Sequence, residues 1–223
     1  MDFKWALCPF FTSIGMIFPP YMYTKSTSAE LPLLARTQNF CFLPTSLEKA
    51  LLLELVYPTT HTIMPATTDL KRAPKLIWLD TGLVNYAAEI QKEYLLSKDL
   101  TDTWRGMAAE QIVAQELKAL SNEVGKKQKF WVRAKRGSSA EVDFVYIYGG
   151  KIIPIEVKNG HNAHLKSIHQ FMNETEHDLA VRIWSGNYAI DEVTTNEGKH
   201  FKLINLPFYM IAALPNILKK IET

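Results

Sequence analysis

Two alternating stretches joined by a pair of glycines constrain the fold of this chain more than any other feature. The stretches are EVDFVYIY (141–148) and KIIPIEV (151–157), separated by Gly149-Gly150. Alternation with a period of two predicts strands, and the two-glycine connection predicts an antiparallel hairpin. Because residues two apart in a strand share a face, Glu156 and Lys158 lie on one face, and the hairpin brings Asp143 near both.

A predicted helix upstream places a carboxylate on its buried side. Residues 103–123 have helical periodicity and follow the capping candidates Thr101 and Asp102. Apolar residues recur along this segment at helical spacing: Met107, Val113, Leu117 and Leu120. Glu110 falls on the same stripe. An ionised carboxylate that faces a core costs free energy unless a cation meets it, so Glu110 is the first indication of a site.

The remaining downstream segments complete an α/β pattern. They read as a strand KFWVRA (129–134), a helix LKSIHQFMNE (165–174), a strand LAVRIW (179–184) and a final helix FYMIAALPNILKKI (208–221). The order is helix, three strands, helix, strand. This order predicts an α/β domain with a mixed β-sheet flanked by helices.

The upstream half is predicted to hold a small, mostly helical segment. A capping box formed by Thr45 and Glu48 opens a helix over SLEKALLLEL, which leads into a short strand that ends at Pro58. KLIWL (75–79) reads as a buried strand, Asp80 as a cap, and residues 84–96 as a helix. Residues 1–45 show no clear period.

Composition restricts compartment and partners only weakly. The chain has 223 residues, 47% of them hydrophobic, and a formal net charge of +2, so any nucleic-acid signal must come from local clustering. Cys8 and Cys41 form no CxxC pair, which favours a reducing compartment, and the cytoplasm is expected. The apolar stretch 5–18 resembles a signal-peptide core, but a single lysine precedes it and prolines interrupt the region. No membrane association is expected.

Glu110, EVDF and IEVK together resemble the motifs of the PD-(D/E)XK nuclease superfamily, in which a helix glutamate, a strand aspartate and an E-x-K strand form a metal site. The resemblance assigns these roles to Glu110, Asp143, Glu156 and Lys158 and implies a restriction-endonuclease-like core. Three carboxylates suit Mg²⁺ or Mn²⁺. Lys158 would orient or help activate the attacking water and stabilise charge on a phosphate. The predicted reaction is metal-dependent hydrolysis of DNA phosphodiesters.

Two upstream segments, EKALLLELVYP and PKLIWLDTGL, resemble the region that joins the ATPase core to the nuclease-like C-terminal domain in a group of bacterial and archaeal AAA+ type ATPases. No G-x-x-x-x-G-K-[ST] phosphate loop occurs, so no ATP hydrolysis is expected, and the chain looks like a C-terminal fragment or a truncated relative. The resemblance divides the chain into unassigned residues 1–45, a connecting segment 46–99 with a winged-helix remnant as one alternative, and a nuclease-like domain 100–223. DNA and an ATPase or another protein are the expected partners. The sequence does not determine the oligomeric state.

A basic segment precedes the EVDF strand. Its six cations are Lys126, Lys127, Lys129, Arg133, Lys135 and Arg136. No acidic residue interrupts them, and Phe130 and Trp131 lie among them. Such a segment is typical of a surface that neutralises phosphates. The alternative is a hairpin edge whose lysines protect it against aggregation.

Each motif also has a structural explanation. Glu156 and Lys158 are what alternation alone would place on the solvated face of a strand. The carboxylates can persist in a non-catalytic domain that binds DNA or a protein, which is the second functional hypothesis. Four histidines are better explained as loop and helix-surface residues than as zinc ligands, because no cysteine accompanies them. They are His161, His164, His169 and His177.

Overall fold

The computed structural model describes residues 42–87, 107–121, 123, 125–135, 137–138, 140–158 and 165–222. The described elements follow in chain order. They are α1 (Phe42–Lys49), β1 (Leu53–Thr59), β2 (Lys75–Trp78), α2 (Thr81–Ala87), α3 (Met107–Ala119), β3 (Lys129–Val132), β4 (Glu141–Tyr148), β5 (Lys151–Lys158), α4 (Lys166–Glu174), β6 (Leu179–Trp184), β7 (Ala189–Thr194), β8 (His200–Pro207), a 3₁₀ helix (Phe208–Ala213) and α5 (Leu214–Glu222).

The strands form one mixed sheet in the order β2-β1-β3-β4-β5-β6-β8-β7. The pairs β3–β4, β4–β5 and β7–β8 are antiparallel, whereas β1–β3, β5–β6 and β6–β8 are parallel. The expected α/β class with a mixed sheet flanked by helices, preceded by a small helical segment, is therefore confirmed.

The chain divides into two compact units. The first comprises Met1–Leu55 and Ala73–Thr103, and its described part contains α1, the first residues of β1, β2 and α2. The second comprises Val56–Arg72 and Trp104–Thr223 and contains the remaining elements. All the described candidate site residues belong to the second unit.

Helices cover both faces of the sheet in the second unit. On one face, α4 packs Ile168, Phe171 and Met172 against a cluster that includes Ile152 and Ala180. Trp131 meets Phe171 edge-on, with ring centroids 5.2 Å apart. The opposite face of the central strands is also buried, because strand side chains alternate between faces, and it lies towards α3 and the 3₁₀ helix. β5 and β6 are therefore covered on both sides.

Several predicted elements are confirmed. The strands predicted near 75–79, 129–134, 141–148, 151–157 and 179–184 and the helix predicted at 165–174 are present. The helix predicted at 103–123 is present over Met107–Ala119. The one predicted at 84–96 begins earlier, at Thr81, where Asp80 accepts a hydrogen bond from the Gly82 amide as the expected cap. Its remainder, like residues 1–41, lies outside the described residues.

The prediction of a helix over residues 46–55 was wrong in its second half. The helix ends at Lys49, Leu51 adopts a positive φ of 58°, and LELVYPT is a strand. Burial decides this, since Leu53 and Leu55 are both inaccessible in the strand and tertiary packing overrides a modest helix preference. Glu48 then accepts a hydrogen bond from the Leu55 amide at 2.9 Å.

Two features of the C-terminal region differ from what the sequence predicted. The β7–β8 hairpin was not predicted, because β7 is largely exposed and carries no apolar stripe. The segment predicted as one helix over 208–221 is a 3₁₀ helix followed by α5. No helix in the described part of the chain has the length and hydrophobicity that a membrane span requires.

Candidate active site

The β4–β5 hairpin brings Asp143 to the end of β5. Gly149 and Gly150 both have positive φ, 54° and 75°, as a tight two-residue turn between twisted strands requires. The pairing runs from Tyr148 opposite Lys151 to Phe144 opposite Ile155. Beyond that point the Asp143 carboxylate accepts a hydrogen bond from the Val157 amide at 2.8 Å. A side-chain oxygen thus continues the hydrogen bonding between the two strands beyond the Phe144–Ile155 pair.

Glu156 and Lys158 form an ion pair at the same end of β5. The Lys158 Nζ to Glu156 Oε1 distance is 2.8 Å, and the side chains are 28% and 7% exposed. The strand alternation therefore does place the two residues on one face, but Glu156 is buried rather than solvated. The explanation as a wet strand face does not fit Glu156.

Glu110 reaches the same neighbourhood from α3. It lies in the first turn of that helix and is half-buried, next to the buried Val113 and Ala114 side of the helix. Its negative charge acts on the Lys158 ammonium together with those of Glu156 and Asp143. The structure therefore brings all four predicted site residues into one electrostatic neighbourhood, although they come from a helix and two strands.

Three carboxylates keep Lys158 protonated. Burial alone lowers the pKa of the Lys158 ammonium, but the hydrogen bond and charge of Glu156 and the charges of Asp143 and Glu110 outweigh it and raise that pKa above 10.5. At neutral pH Lys158 is a fixed positive charge. It can donate hydrogen bonds and stabilise an anion, but it has no lone pair with which to accept a proton.

The donor chemistry of this cluster fits a hard divalent cation, because it offers carboxylate oxygens from three residues whose charges all act on Lys158. The side-chain arrangement fits less well. Among the described residues, no three His, Cys, Asp or Glu side chains are grouped as metal ligands. The ion pair of Glu156 with Lys158 is one contact that would have to change for Glu110, Asp143 and Glu156 to share a cation. Their metal-binding role stays a prediction.

The basic segment is less uniform than its sequence indicates. Arg133 donates a hydrogen bond to Glu174 of α4 at 2.6 Å, and Lys126 is within 3.5 Å of Glu123. Lys127 and Lys135 are exposed and Lys129 is partly exposed. Arg136 lies outside the described residues. The segment thus divides into a cation that ties β3 to α4 and cations that face solvent.

Of the four histidines considered as zinc ligands, His169 and His177 are described, and both have structural roles. His177 lies between two strands, with Nε2 2.8 Å from the Ile152 carbonyl and Nδ1 accepting a hydrogen bond from the Leu179 amide at 3.2 Å. His169 meets the Phe201 ring edge-on. Burial lowers the pKa of both imidazoles. His161 and His164 lie outside the described residues.

One polar cluster beside the site was not predicted. Glu156 pairs with Arg182 of β6 in the parallel register, and Arg182 pairs with Asn205 of β8. The Arg182 guanidinium lies 4.2 Å from the centroid of the Trp184 ring. The sequence did hold a signal, since Arg182 interrupts an otherwise apolar strand LAVRIW.

Comparison with known families links part of the chain to one domain. Residues 105–209, a little under half of the chain, match the family model described as Domain of unknown function (DUF4143). That domain occurs in AAA-ATPase-associated proteins. The matched range contains all four predicted site residues, but its description assigns no reaction. No curated protein and no solved structure matches the chain.

Proposed function

We propose that the second unit of this chain is a metal-dependent nuclease-like domain that hydrolyses DNA phosphodiesters. The observation that supports it is that the charges of three carboxylates, Glu110, Asp143 and Glu156, all act on the partly buried Lys158. A structural salt bridge needs one acid for one base. Here the charges of three acids from separate elements all act on one lysine, and carboxylate oxygens are the ligands that a hard divalent cation prefers.

The chain's own residues have distinct tasks in this proposal. Lys158 stays charged and stabilises the negative charge that develops on the phosphate oxygens as the water attacks. Asp143 is held by the Val157 amide, so its second oxygen is fixed relative to β5. Glu110, on a separate element, would close the oxygen set from the helix side.

Mg²⁺ or Mn²⁺, held by Glu110, Asp143 and Glu156, would polarise the phosphoryl oxygen and lower the pKa of a bound water. Because Lys158 stays protonated, it cannot accept the proton of the attacking water, and in this proposal another group does so.

The test is a cleavage assay on single-stranded, duplex and branched DNA across a range of Mg²⁺ and Mn²⁺ concentrations. The parent chain should cleave at least one substrate only with metal, and Asp143→Asn and Lys158→Met should each abolish cleavage. Lys151→Met, at the other end of β5, is the matched control and should keep it. Absence of metal-dependent cleavage on every substrate, or full activity of Asp143→Asn, would contradict the proposal.

A non-catalytic accessory role is the second candidate, and one observation favours it. The Glu156 carboxylate is already paired with Lys158 at 2.8 Å, so the cluster is partly neutralised as it stands. The match to a domain found in AAA-ATPase-associated proteins suits a module that binds DNA or an ATPase. DNA binding without cleavage by the parent chain, unchanged by Asp143→Asn, would support this role.

A further inference from the structure

A second cationic side chain lies beside Lys158 on the neighbouring strand. β5 and β6 are parallel, with Glu156 opposite Arg182 and Lys158 opposite Trp184. Residues paired in register on adjacent strands project on the same face, and the strands lie about 4.8 Å apart. Arg182 and Trp184 therefore share the face that carries Glu156 and Lys158.

The Trp184 indole is fixed by its own surroundings. Its Nε1 donates a hydrogen bond to the Asn187 carbonyl at 3.1 Å. The ring also covers Gly186 so closely that a Cβ there would collide with it. The loop after β6 thus holds the indole in place, and the Arg182 guanidinium lies over it at 4.2 Å. Arg182 is paired with Glu156, and Trp184 with Lys158. Because the guanidinium lies over the Trp184 ring, the Arg182 side chain extends along β6 towards the end of the sheet that carries Lys158.

One nitrogen of the guanidinium, Arg182 Nε, is buried without a hydrogen-bond acceptor in the described part of the chain. No ion pair joins Arg182 to a described residue. The charge of Asp191 acts on Arg182, but that carboxylate accepts a hydrogen bond at 2.7 Å from the Asn205 amide. An arginine stacked on an aromatic ring keeps its N–H edge available for a planar two-oxygen acceptor.

A purely structural role leaves this pattern unexplained. A buried N–H group that serves packing normally has an acceptor, because an unmet buried donor costs free energy. Here the Trp184 ring supports the guanidinium, but Arg182 Nε has no acceptor among the described residues. An oxyanion beside the neighbouring Lys158 would supply the acceptor that the described residues do not.

We infer that Arg182, supported by Trp184, is a phosphate-binding residue that holds the DNA strand at the phosphate next to the one that meets Lys158. The inference rests on the proposed function, because it takes the strand at Lys158 to be the substrate. Arg182 would position the DNA strand from β6, and it belongs neither to the carboxylate cluster nor to the basic segment.

The experiment measures DNA binding without cleavage, using the full chain with Asp143→Asn. Fluorescently labelled single-stranded and duplex DNA are titrated between about 50 and about 200 mM salt. Arg182→Ala should raise Kd by about tenfold or more and reduce the slope of log Kd against log salt by about one. Arg182→Lys keeps the charge without the planar fork and should recover only part of the affinity.

Two further variants separate recognition from folding. Gly186→Ala displaces the Trp184 ring that supports Arg182 without replacing Arg182 itself, and it should also weaken binding. Arg72→Ala removes an exposed arginine that pairs with Asp69 at 3.2 Å, and it should leave Kd unchanged. Thermal unfolding of each variant checks that it is folded, and Arg182→Lys carries the test if Arg182→Ala does not fold.

The outcomes distinguish this inference from the function on which it rests. DNA binding by the parent with Arg182→Ala and Arg182→Lys both within about twofold of it overturns the inference and leaves the nuclease proposal intact. A parent that binds no DNA under any condition overturns both. A loss confined to the Arg182 and Gly186 variants supports the phosphate contact.

Discussion

Lys158 and Glu156 depend on each other because neither is well solvated. Glu156 is 7% exposed in its side chain and Lys158 is 28% exposed. Removing one member of such a pair leaves the other charge in a poorly solvated place, which costs more than the pair itself contributes. The site is therefore a place where a catalytic variant also changes stability, and the two effects must be measured separately.

We expect Lys158→Met to lower the free energy of unfolding at pH 7 by about 1–3 kcal/mol, less than for a fully buried pair because Lys158 keeps part of its exposure. The double variant Glu156→Gln/Lys158→Met should recover most of this loss, since no buried charge then lacks its partner. Urea unfolding measures both. Lys151→Met, which breaks the half-exposed Lys151–Glu222 pair, should cost less than about 1 kcal/mol. Equal losses of unfolding free energy for Lys158→Met and Lys151→Met would contradict the claim that burial of the Glu156–Lys158 pair sets the cost.

His177 makes the second unit sensitive to acid. Its neutral form meets both neighbours, with Nε2–H donating to the Ile152 carbonyl and Nδ1 accepting from the Leu179 amide. Protonation would place a hydrogen on Nδ1 and remove the second bond. Burial, and next to it Lys199 and Lys151, lower the imidazole pKa, while the Ile152 carbonyl and Asp178 oppose the shift.

A pKa that is lower in the folded state means that the unfolded chain binds the proton more readily. The stabilisation is therefore complete above about pH 6.5, the ordinary histidine pKa, and falls as the pH drops through that value towards the folded pKa. Urea unfolding at pH 7.5 and at more acidic pH should show this decline, and His177→Gln should reduce it. His61→Gln, which replaces an exposed histidine, should leave the decline in stability unchanged. An unchanged pH slope in His177→Gln would argue against this origin.

At the scale of elements, the sequence predicted the parts of the fold that have strong local signals. The hairpin about Gly149 and Gly150 was predictable because both the alternation and the turn chemistry indicate it. The step from α1 to β1 was not, since SLEKALLLEL satisfies a helix locally and only burial of Leu53 and Leu55 in the sheet decides for a strand. The β7–β8 hairpin was missed because β7 is polar and exposed.

The candidate site was predictable to a similar extent. Periodicity indicated that Glu110, Asp143, Glu156 and Lys158 converge, since each lies on an element with a clear period. It did not indicate that Glu156 pairs with Lys158, nor that Arg182 lies beside them, because the order β5-β6-β8 is set by parallel pairing across long connections. Strand order of that kind has no local signature.

The basic segment is expected to separate into two functions. Arg133 ties β3 to α4 through Glu174, whereas Lys135 faces solvent. Lys135→Ala should weaken DNA binding and reduce its salt dependence by about one unit of slope. Arg133→Ala should instead lower the melting temperature, with a smaller effect on salt dependence, because its charge is already paired. Fluorescence anisotropy and thermal unfolding together test this, and a larger binding loss for Arg133→Ala than for Lys135→Ala would reverse the assignment.

Across the whole molecule, the protection of backbone amides from hydrogen exchange should be highest in the central strands of the sheet and lowest at its edge. β5 and β6 are paired on both edges and buried on both faces, whereas β7 is an edge strand with Ile190, Asp191 and Glu192 exposed. Amides in the strands that unfold last open only with global unfolding, while edge amides exchange through local opening. The candidate site is attached to the most protected strands, so its geometry should persist until the second unit unfolds.

Hydrogen exchange followed by mass spectrometry checks this directly. Peptides covering Lys151–Lys158 and Leu179–Trp184 should exchange most slowly, and a peptide covering Ala189–Thr194 should exchange orders of magnitude faster, because a few kcal/mol of local stability already changes rates that far. Adding DNA to the Asp143→Asn variant should slow exchange at the ends of β5 and β6 without slowing β7. Strong protection of β7 in the free chain would contradict its placement as an open edge and would mean that another strand or another chain covers it.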